Sequence, residues 1–124
     1  MEVGAGLGGL RVLVVEDEML VSMLVEDMLT EFGCNIVGPA PDLEQALALA
    51  RDAELDAAIL DVNVGGRQIF PVADALKHRG VPFAFASGYG EAGLVDDHRN
   101  TPVLQKPFRQ GDLEKVLREL AAGR

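Results

Sequence analysis

Five short apolar runs alternate along the chain with segments whose apolar residues have helical spacing, and this alternation limits the possible folds more than any other feature. The apolar runs, read as strands, are residues 10–15, 34–37, 56–61, 81–86 and 103–105. A strand buried on both faces is nearly continuous in apolar residues, and strands that alternate with helices form parallel sheets. The chain is therefore predicted to be an α/β domain with a parallel five-stranded sheet between two layers of helices.

The predicted helices differ in how clearly they are patterned. The first, residues 20–32, has apolar residues at four-residue spacing. These are Leu20, Leu24, Met28 and Phe32. Asp42, with Gln45 three residues later, is predicted to cap the second helix. Residues 91–98 form the weakest predicted helix, because they include few apolar residues and no clear stripe.

Length and composition favour one domain. The 124 residues suit a single core, which we place at residues 10–124 without an output domain, preceded by a flexible glycine-rich tail at residues 1–9. The net charge of −9 disfavours direct binding to nucleic acid. No apolar run is long enough to span a membrane, and the lone Cys34 fits a reducing compartment, so we expect a cytoplasmic protein.

Polar residues follow four of the predicted strands. They are Glu16, Asp17, Asp61, Ser87 and Lys106. Chemistry in an open parallel sheet gathers at the carboxyl ends of the strands, so these side chains are expected to meet. Carboxylates that lie close together repel one another unless a hard cation such as Mg²⁺ binds between them. A lysine and a serine can hold phosphate oxygens, and the set suits phosphoryl transfer onto a carboxylate.

Four segments carry a resemblance to the receiver domains of bacterial two-component response regulators. They are VVEDE at residues 14–18, ILDVN at 59–63, FASGY at 85–89 and KPF at 106–108. The resemblance covers residues 10–120. It implies a flavodoxin-like (βα)₅ domain with strand order 2-1-3-4-5.

The resemblance also implies a role for each matching residue. Asp61 is the expected phosphoacceptor and receives its group from a phosphohistidine on a sensor histidine kinase. Asp17 is expected to bind Mg²⁺ (or Mn²⁺) directly, while Glu16 acts near the metal through water. Asn63 is expected to offer its backbone carbonyl to the same ion.

On the phosphate side of the site, the resemblance assigns Ser87 and Lys106 to the phosphoryl oxygens. It also implies a cis peptide bond between Lys106 and Pro107.

One departure from the family pattern affects signalling. Most receivers have an aromatic residue three positions before the lysine, and this chain has Val103 there. Residues 83–90 resemble the "FATGUY" group of single-domain regulators, which share this loss and pair with kinases of the HWE or related classes. We expect Gly88, Tyr89 and the glycine-rich loop at residues 88–99 to carry the output, and Asn63 and Tyr89 to tune the phosphoryl lifetime.

Three alternatives remain open at this point. A pseudo-receiver would keep the fold and bind a partner without phosphorylation. A phosphatase of the haloacid dehalogenase type would be an enzyme, whereas a receiver is not. Such a phosphatase needs a second acid where this chain has Asn63. Its nucleophile follows the first strand, whereas Asp61 ends the third. A receiver without an output domain signals through an unknown downstream protein or drains phosphate from a shared kinase.

Overall fold

Strands and helices alternate along residues 7–88 and 100–122, the part of the chain that the computed structural model describes. The strands are β1 (Arg11–Val15), β2 (Asn35–Ala40), β3 (Ala57–Asp61), β4 (Asn63–Val64), β5 (Arg67–Gln68), β6 (Phe83–Ser87) and β7 (Val103–Gln105). The helices are α1 (Met19–Glu31), α2 (Leu43–Asp52), α3 (Phe70–His78) and α4 (Gln110–Ala122). None of these helices is long and apolar enough to cross a bilayer.

The main sheet has the order β2-β1-β3-β6-β7, and every neighbouring pair is parallel. With the two strands of the small β4–β5 hairpin set aside, this is the predicted order 2-1-3-4-5. The flavodoxin-like α/β fold is therefore confirmed. The helix predicted at residues 91–98 lies outside the described residues.

Both faces of the sheet are buried, which explains the unbroken apolar runs. Leu13 and Val15 of β1 pack with α2 and α3, whereas Val12 and Val14 pack with α1 and α4. The same alternation runs through β3 and β6. Because adjacent strand residues point to opposite faces, a strand between two helical layers needs apolar residues at every position.

The apolar stripe predicted for α1 was wrong for two of its members. Leu20 is 78% exposed and Leu24 is 58% exposed, whereas Val25 and Leu29 are buried. Apolar residues occupy most positions in the first half of α1, so several stripes fit the pattern. An α-helix has 3.6 residues per turn, so side chains spaced strictly four residues apart move gradually away from the buried face of the helix.

The predicted flexible tail extended too far into the domain. Leu7 is buried in the core between the sheet and helices α1 and α4. The Gly9 amide donates to the Gly33 carbonyl at 2.8 Å, and the Cys34 thiol donates to the Leu7 carbonyl at 3.5 Å. Residues 7–9 therefore belong to the packed structure, because Leu7 contributes apolar area to the core.

The second strand is longer than predicted and reaches Ala40, with a cis peptide bond between Gly38 and Pro39. The pairing with β1 shifts register between Leu13 and Val15, so Pro39 lies at an irregularity where a proline is tolerated. Gly38 has φ +98°, and a Cβ there would lie 2.8 Å from the Ala40 nitrogen. The backbone at this position therefore requires glycine.

Both ends of α2 are capped by side chains. Asp42 accepts hydrogen bonds from the Gln45 amide at 2.8 Å and from the Gln45 side chain at 2.9 Å, which confirms the predicted cap. At the other end, the Arg79 guanidinium donates to the carbonyls of Ala50 at 2.6 Å and Ala53 at 2.8 Å. Arg79 thus joins the end of α3 to the end of α2.

Substitution Arg79→Ala is expected to destabilise the domain by roughly 1 kcal/mol, because the last carbonyls of α2 lose a charged donor. Urea unfolding followed by circular dichroism measures the change in unfolding free energy. Lys77→Ala, at an exposed site near the end of the same helix, is the matched control. Equal stability of the two variants would contradict the capping role of Arg79.

Candidate functional site

Four charged side chains meet at the carboxyl end of the sheet. Glu16 and Asp17 follow β1, Asp61 ends β3 and Lys106 follows β7. The Lys106 ammonium lies 2.8 Å from Glu16 Oε1 and 3.0 Å from Asp61 Oδ1. Glu16 and Asp61 are buried, and Asp17 is exposed at the rim. The parallel register brings the strand ends to one edge, as predicted for these residues.

The three carboxylates form a donor set that fits a divalent cation. Glu16, Asp17 and Asp61 each offer an oxygen, and these oxygens all lie within 4.8 Å of one another. Hard cations such as Mg²⁺ prefer such oxygen ligands. Both oxygens of Glu16 are already engaged, one by Lys106 and the other by the Glu18 amide at 3.1 Å. Within the described residues, Asp17 accepts a hydrogen bond from the Gly65 amide at 2.9 Å.

The site places more negative charge in the protein than its lysine neutralises. Burial raises the pKa of Asp61 to about 7; the hydrogen bond from Lys106 opposes this rise, and the charge of Glu16 adds to it. Burial lowers the pKa of Lys106, but its hydrogen bonds to Glu16 and Asp61 outweigh that effect and leave it raised. Two buried carboxylates therefore share one ammonium, and additional positive charge at the site would favour their ionised forms.

Without divalent cations, ionisation of Asp61 should weaken the fold. Its pKa of about 7 in the folded state exceeds the ordinary value of 3.8, so the folded chain holds the proton more strongly. Stability should fall as the pH rises between these two values. We expect Asp61→Asn to raise the unfolding free energy near pH 8 by ~2–4 kcal/mol and to have little effect near pH 4.

Urea unfolding in EDTA at several pH values tests this expectation, with Asp74→Asn on the exposed face of α3 as the control. Parallel pH profiles for the wild type and Asp61→Asn would contradict the raised pKa.

The remaining predicted site residues lie around this cluster. Ser87 is buried at the end of β6, one residue beyond the register partner of Asp61. Its carbonyl accepts the Lys106 amide at 2.8 Å. Asn63 is exposed in β4, two residues after Asp61. The Lys106–Pro107 bond is cis, as the resemblance implied.

The residues predicted to carry the output are only partly described. Gly88 is half-buried next to the site, and Tyr89 lies outside the described residues, as does the rest of the loop to residue 99. Val103 is 41% exposed at the start of β7, which is the last strand in the sheet order. The position that usually holds the switch aromatic is thus an exposed aliphatic residue.

Sequence reasoning missed two features beside the site. One is the β4–β5 hairpin, whose Gly65 amide contacts Asp17. The signal was available, because two adjacent glycines are typical of a two-residue hairpin turn. The other is the exposed apolar surface at the start of α1, which the wrong stripe had assigned to the core.

Comparisons with known proteins agree with this architecture. The family model described as the response regulator receiver domain matches residues 12–118. The transcriptional regulatory protein PdtaR of Mycobacterium tuberculosis is 34% identical over 118 residues, which are 92% of this chain and 57% of PdtaR. The chain spans about half the length of the curated relatives it matches.

Solved structures give the same result. SdrG from Sphingomonas melonis is 42% identical with a TM-score of 0.82, over 90% of this chain and 96% of SdrG. The receiver domain of PhyR from Erythrobacter litoralis is 28% identical with a TM-score of 0.78, over 91% of this chain and 90% of that domain. By sequence, fold and the arrangement of its charged residues, the chain belongs to the response regulator receiver domain family.

Proposed function

We propose that the chain accepts a phosphoryl group on Asp61 in a reaction that depends on Mg²⁺. The observation that carries the proposal is the placement of the Asp61 carboxylate 3.0 Å from the Lys106 ammonium, beside two further carboxylates. Phosphoryl transfer requires mainly positioning and charge neutralisation, and this arrangement can supply both. Receivers of this family are signalling domains.

In the proposed step, an Asp61 oxygen forms a bond to phosphorus as the bond from phosphorus to the donor nitrogen breaks. The donor is a phosphohistidine of a sensor histidine kinase, and its imidazole leaves as the neutral ring after taking up a proton. Lys106 and the Ser87 hydroxyl hold phosphoryl oxygens in this scheme. In the later hydrolysis, which the domain also promotes in this scheme, water attacks phosphorus as its bond to the Asp61 oxygen breaks, and this gives inorganic phosphate and the free Asp61 carboxylate.

Asp17 and Asp61 would hold the cation directly, together with the Asn63 carbonyl. Glu16 would act through water, because Lys106 and the Glu18 amide already engage its two oxygens. Mg²⁺, or Mn²⁺ in its place, would supply positive charge to the phosphoryl oxygens as negative charge builds up on them.

We propose that the kinase docks on the first half of α1. Four large apolar side chains there are exposed in the described structure: Met19, Leu20, Met23 and Leu24. A largely apolar groove of about 330 Å³ lies beside them, and Lys106 of the site lines it together with Leu24. A partner that covers this surface would therefore lie against Lys106, whose ammonium is 3.0 Å from Asp61.

Charge specifies the kind of partner that fits this surface. The stretch at residues 12–50 has eight acidic residues and no lysine or arginine. Glu26, Asp27 and Glu31 lie in the second half of α1, next to the exposed apolar side chains. The fitting partner is an apolar helix with basic residues at its edge, carried by a kinase of the HWE or a related class.

We also propose a location for the chain and a route for its output. The chain works in the cytoplasm, and its acidic charge disfavours direct contact with nucleic acid. Phosphorylation acts through the loop at residues 88–99 on a downstream protein, or the chain drains phosphate from a kinase. SdrG has also been solved in a BeF₃-activated conformation, which supports phosphorylation of this chain by analogy.

Incubation with acetyl phosphate and Mg²⁺, followed by intact mass spectrometry, tests the proposal. We expect one added phosphoryl group per chain with Mg²⁺ and none with EDTA. A chain that binds Mg²⁺ but gains no mass would be a pseudo-receiver. Sustained release of product from a phosphomonoester would instead favour the phosphatase alternative.

A further inference from the structure

We infer that the β4–β5 hairpin positions the cation ligand Asp17 through the backbone amide of Gly65. The inference rests on the proposed function, in which Asp17 binds Mg²⁺ directly. Lys106 holds both Glu16 and Asp61, whereas Asp17 is exposed and its described contact is with Gly65. The donor and acceptor are 48 residues apart in sequence, so this hydrogen bond ties the hairpin to the end of β1.

The turn of the hairpin determines where the Gly65 amide lies. β4 and β5 are antiparallel with Val64 opposite Arg67, which leaves Gly65 and Gly66 as a two-residue turn. Both glycines have a left-handed backbone conformation, with φ +59° at Gly65 and +81° at Gly66. Tight hairpin turns require this conformation, which glycine adopts at low cost. The turn thereby offers its first amide to Asp17 Oδ2, and no described residue donates a hydrogen bond to Asp17 Oδ1, which can face a cation.

The hairpin is itself held from two sides. Val64 is buried in the core between the sheet and helices α2 and α3. On the outside, the Arg67 guanidinium pairs with the Glu44 carboxylate in the first turn of α2. Movement of the hairpin away from Asp17 would therefore break an ion pair or expose Val64.

These contacts couple cation affinity to residues that never touch the cation. Groups that orient a metal ligand typically change metal affinity by ~10–100-fold when they are lost. Replacing the Val64–Gly65 amide by an ester removes the N–H donor and leaves the side chains unchanged. We expect this change to weaken Mg²⁺ binding about tenfold.

The substitution Arg67→Gln separates positioning from simple electrostatics. Loss of a cation near an acidic site would tighten Mg²⁺ binding if only long-range charge mattered. Because the hairpin loses its outer anchor, we expect Mg²⁺ binding to weaken instead, by about two- to fourfold. Arg118→Gln makes the same charge change in the Arg118–Glu114 pair on α4 and serves as the matched control.

Calorimetric titration with MgCl₂ gives the dissociation constants of the whole chain and its variants, and the NMR resonance of the Gly65 amide reports its contact with Asp17. We expect weaker Mg²⁺ binding in the ester and in Arg67→Gln, unchanged binding in Arg118→Gln, and a smaller Mg²⁺-induced Gly65 shift in Arg67→Gln. Urea unfolding confirms that each variant is folded.

Equal Mg²⁺ affinity of the wild type and the ester, or tighter binding by Arg67→Gln, would overturn the inference. If the wild type still gained a phosphoryl group in either case, the proposed function would stand and only the role of the hairpin would fail. A wild type that binds no Mg²⁺ would overturn both.

Discussion

Asp61→Asn is expected to abolish phosphoryl uptake from acetyl phosphate. The amide nitrogen and carbonyl oxygen of asparagine are weak nucleophiles, so no acyl phosphate forms even though the side chain fits the same space. Intact mass spectrometry after incubation with Mg²⁺ should show the phosphorylated species in the wild type and at least about a hundredfold less in the variant.

The control for this experiment is Asp74→Asn, which changes an exposed carboxylate on α3 and should leave uptake unchanged. Urea unfolding of Asp61→Asn in the same Mg²⁺ buffer shows whether the variant is folded and so separates loss of the acceptor from loss of the fold. A phosphoryl group on the Asp61→Asn chain would place the acceptor elsewhere and contradict the proposal.

A double substitution on α1, Leu20→Ser with Leu24→Ser, is expected to slow phosphotransfer from the kinase by at least about tenfold. Both side chains are largely exposed, so their loss removes apolar contact area for a partner without opening a cavity in the core. The histidine kinases of the same organism are purified and autophosphorylated, and the one that labels the wild type fastest is chosen. The initial rate of phosphotransfer from this kinase measures the effect.

Uptake from acetyl phosphate separates docking from chemistry in this experiment. A small donor needs no helical surface, so the double variant should gain its phosphoryl group from acetyl phosphate at the wild-type rate. Slower uptake from both donors would mean that α1 affects the site itself. Unchanged transfer from the kinase would show that the kinase docks on another surface.

The two faces of α1 illustrate how far sequence pattern can be used. The pattern correctly predicted a helix after β1, because apolar spacing sets secondary structure. It failed to identify the buried face, because an apolar helix start fits several stripes and only packing against the sheet selects one. Leu20 and Leu24, which the predicted stripe assigned to the core, are exposed and are the proposed contacts for a partner.

The predicted N-terminal boundary of the domain was wrong for a related reason. Residues 1–9 are rich in glycine, and such composition predicts a flexible segment. Leu7 nevertheless fills space between the sheet and helices α1 and α4. Burial of one side chain depends on a cavity that distant residues create, so local composition does not reveal it.

Sequence alone determined the strand–helix order, the parallel sheet and the identity of the charged residues at the strand ends. It could do so because a strand buried on both faces needs a continuous run of apolar residues, and because the functional polar residues of a parallel sheet follow its strands. Tertiary structure decided how these residues are paired: the single ammonium of Lys106 contacts both Glu16 and Asp61, while the Gly65 amide donates to Asp17. These pairings depend on the distances between segments that are far apart in the chain and on how deeply their side chains are buried. The local sequence pattern predicts neither.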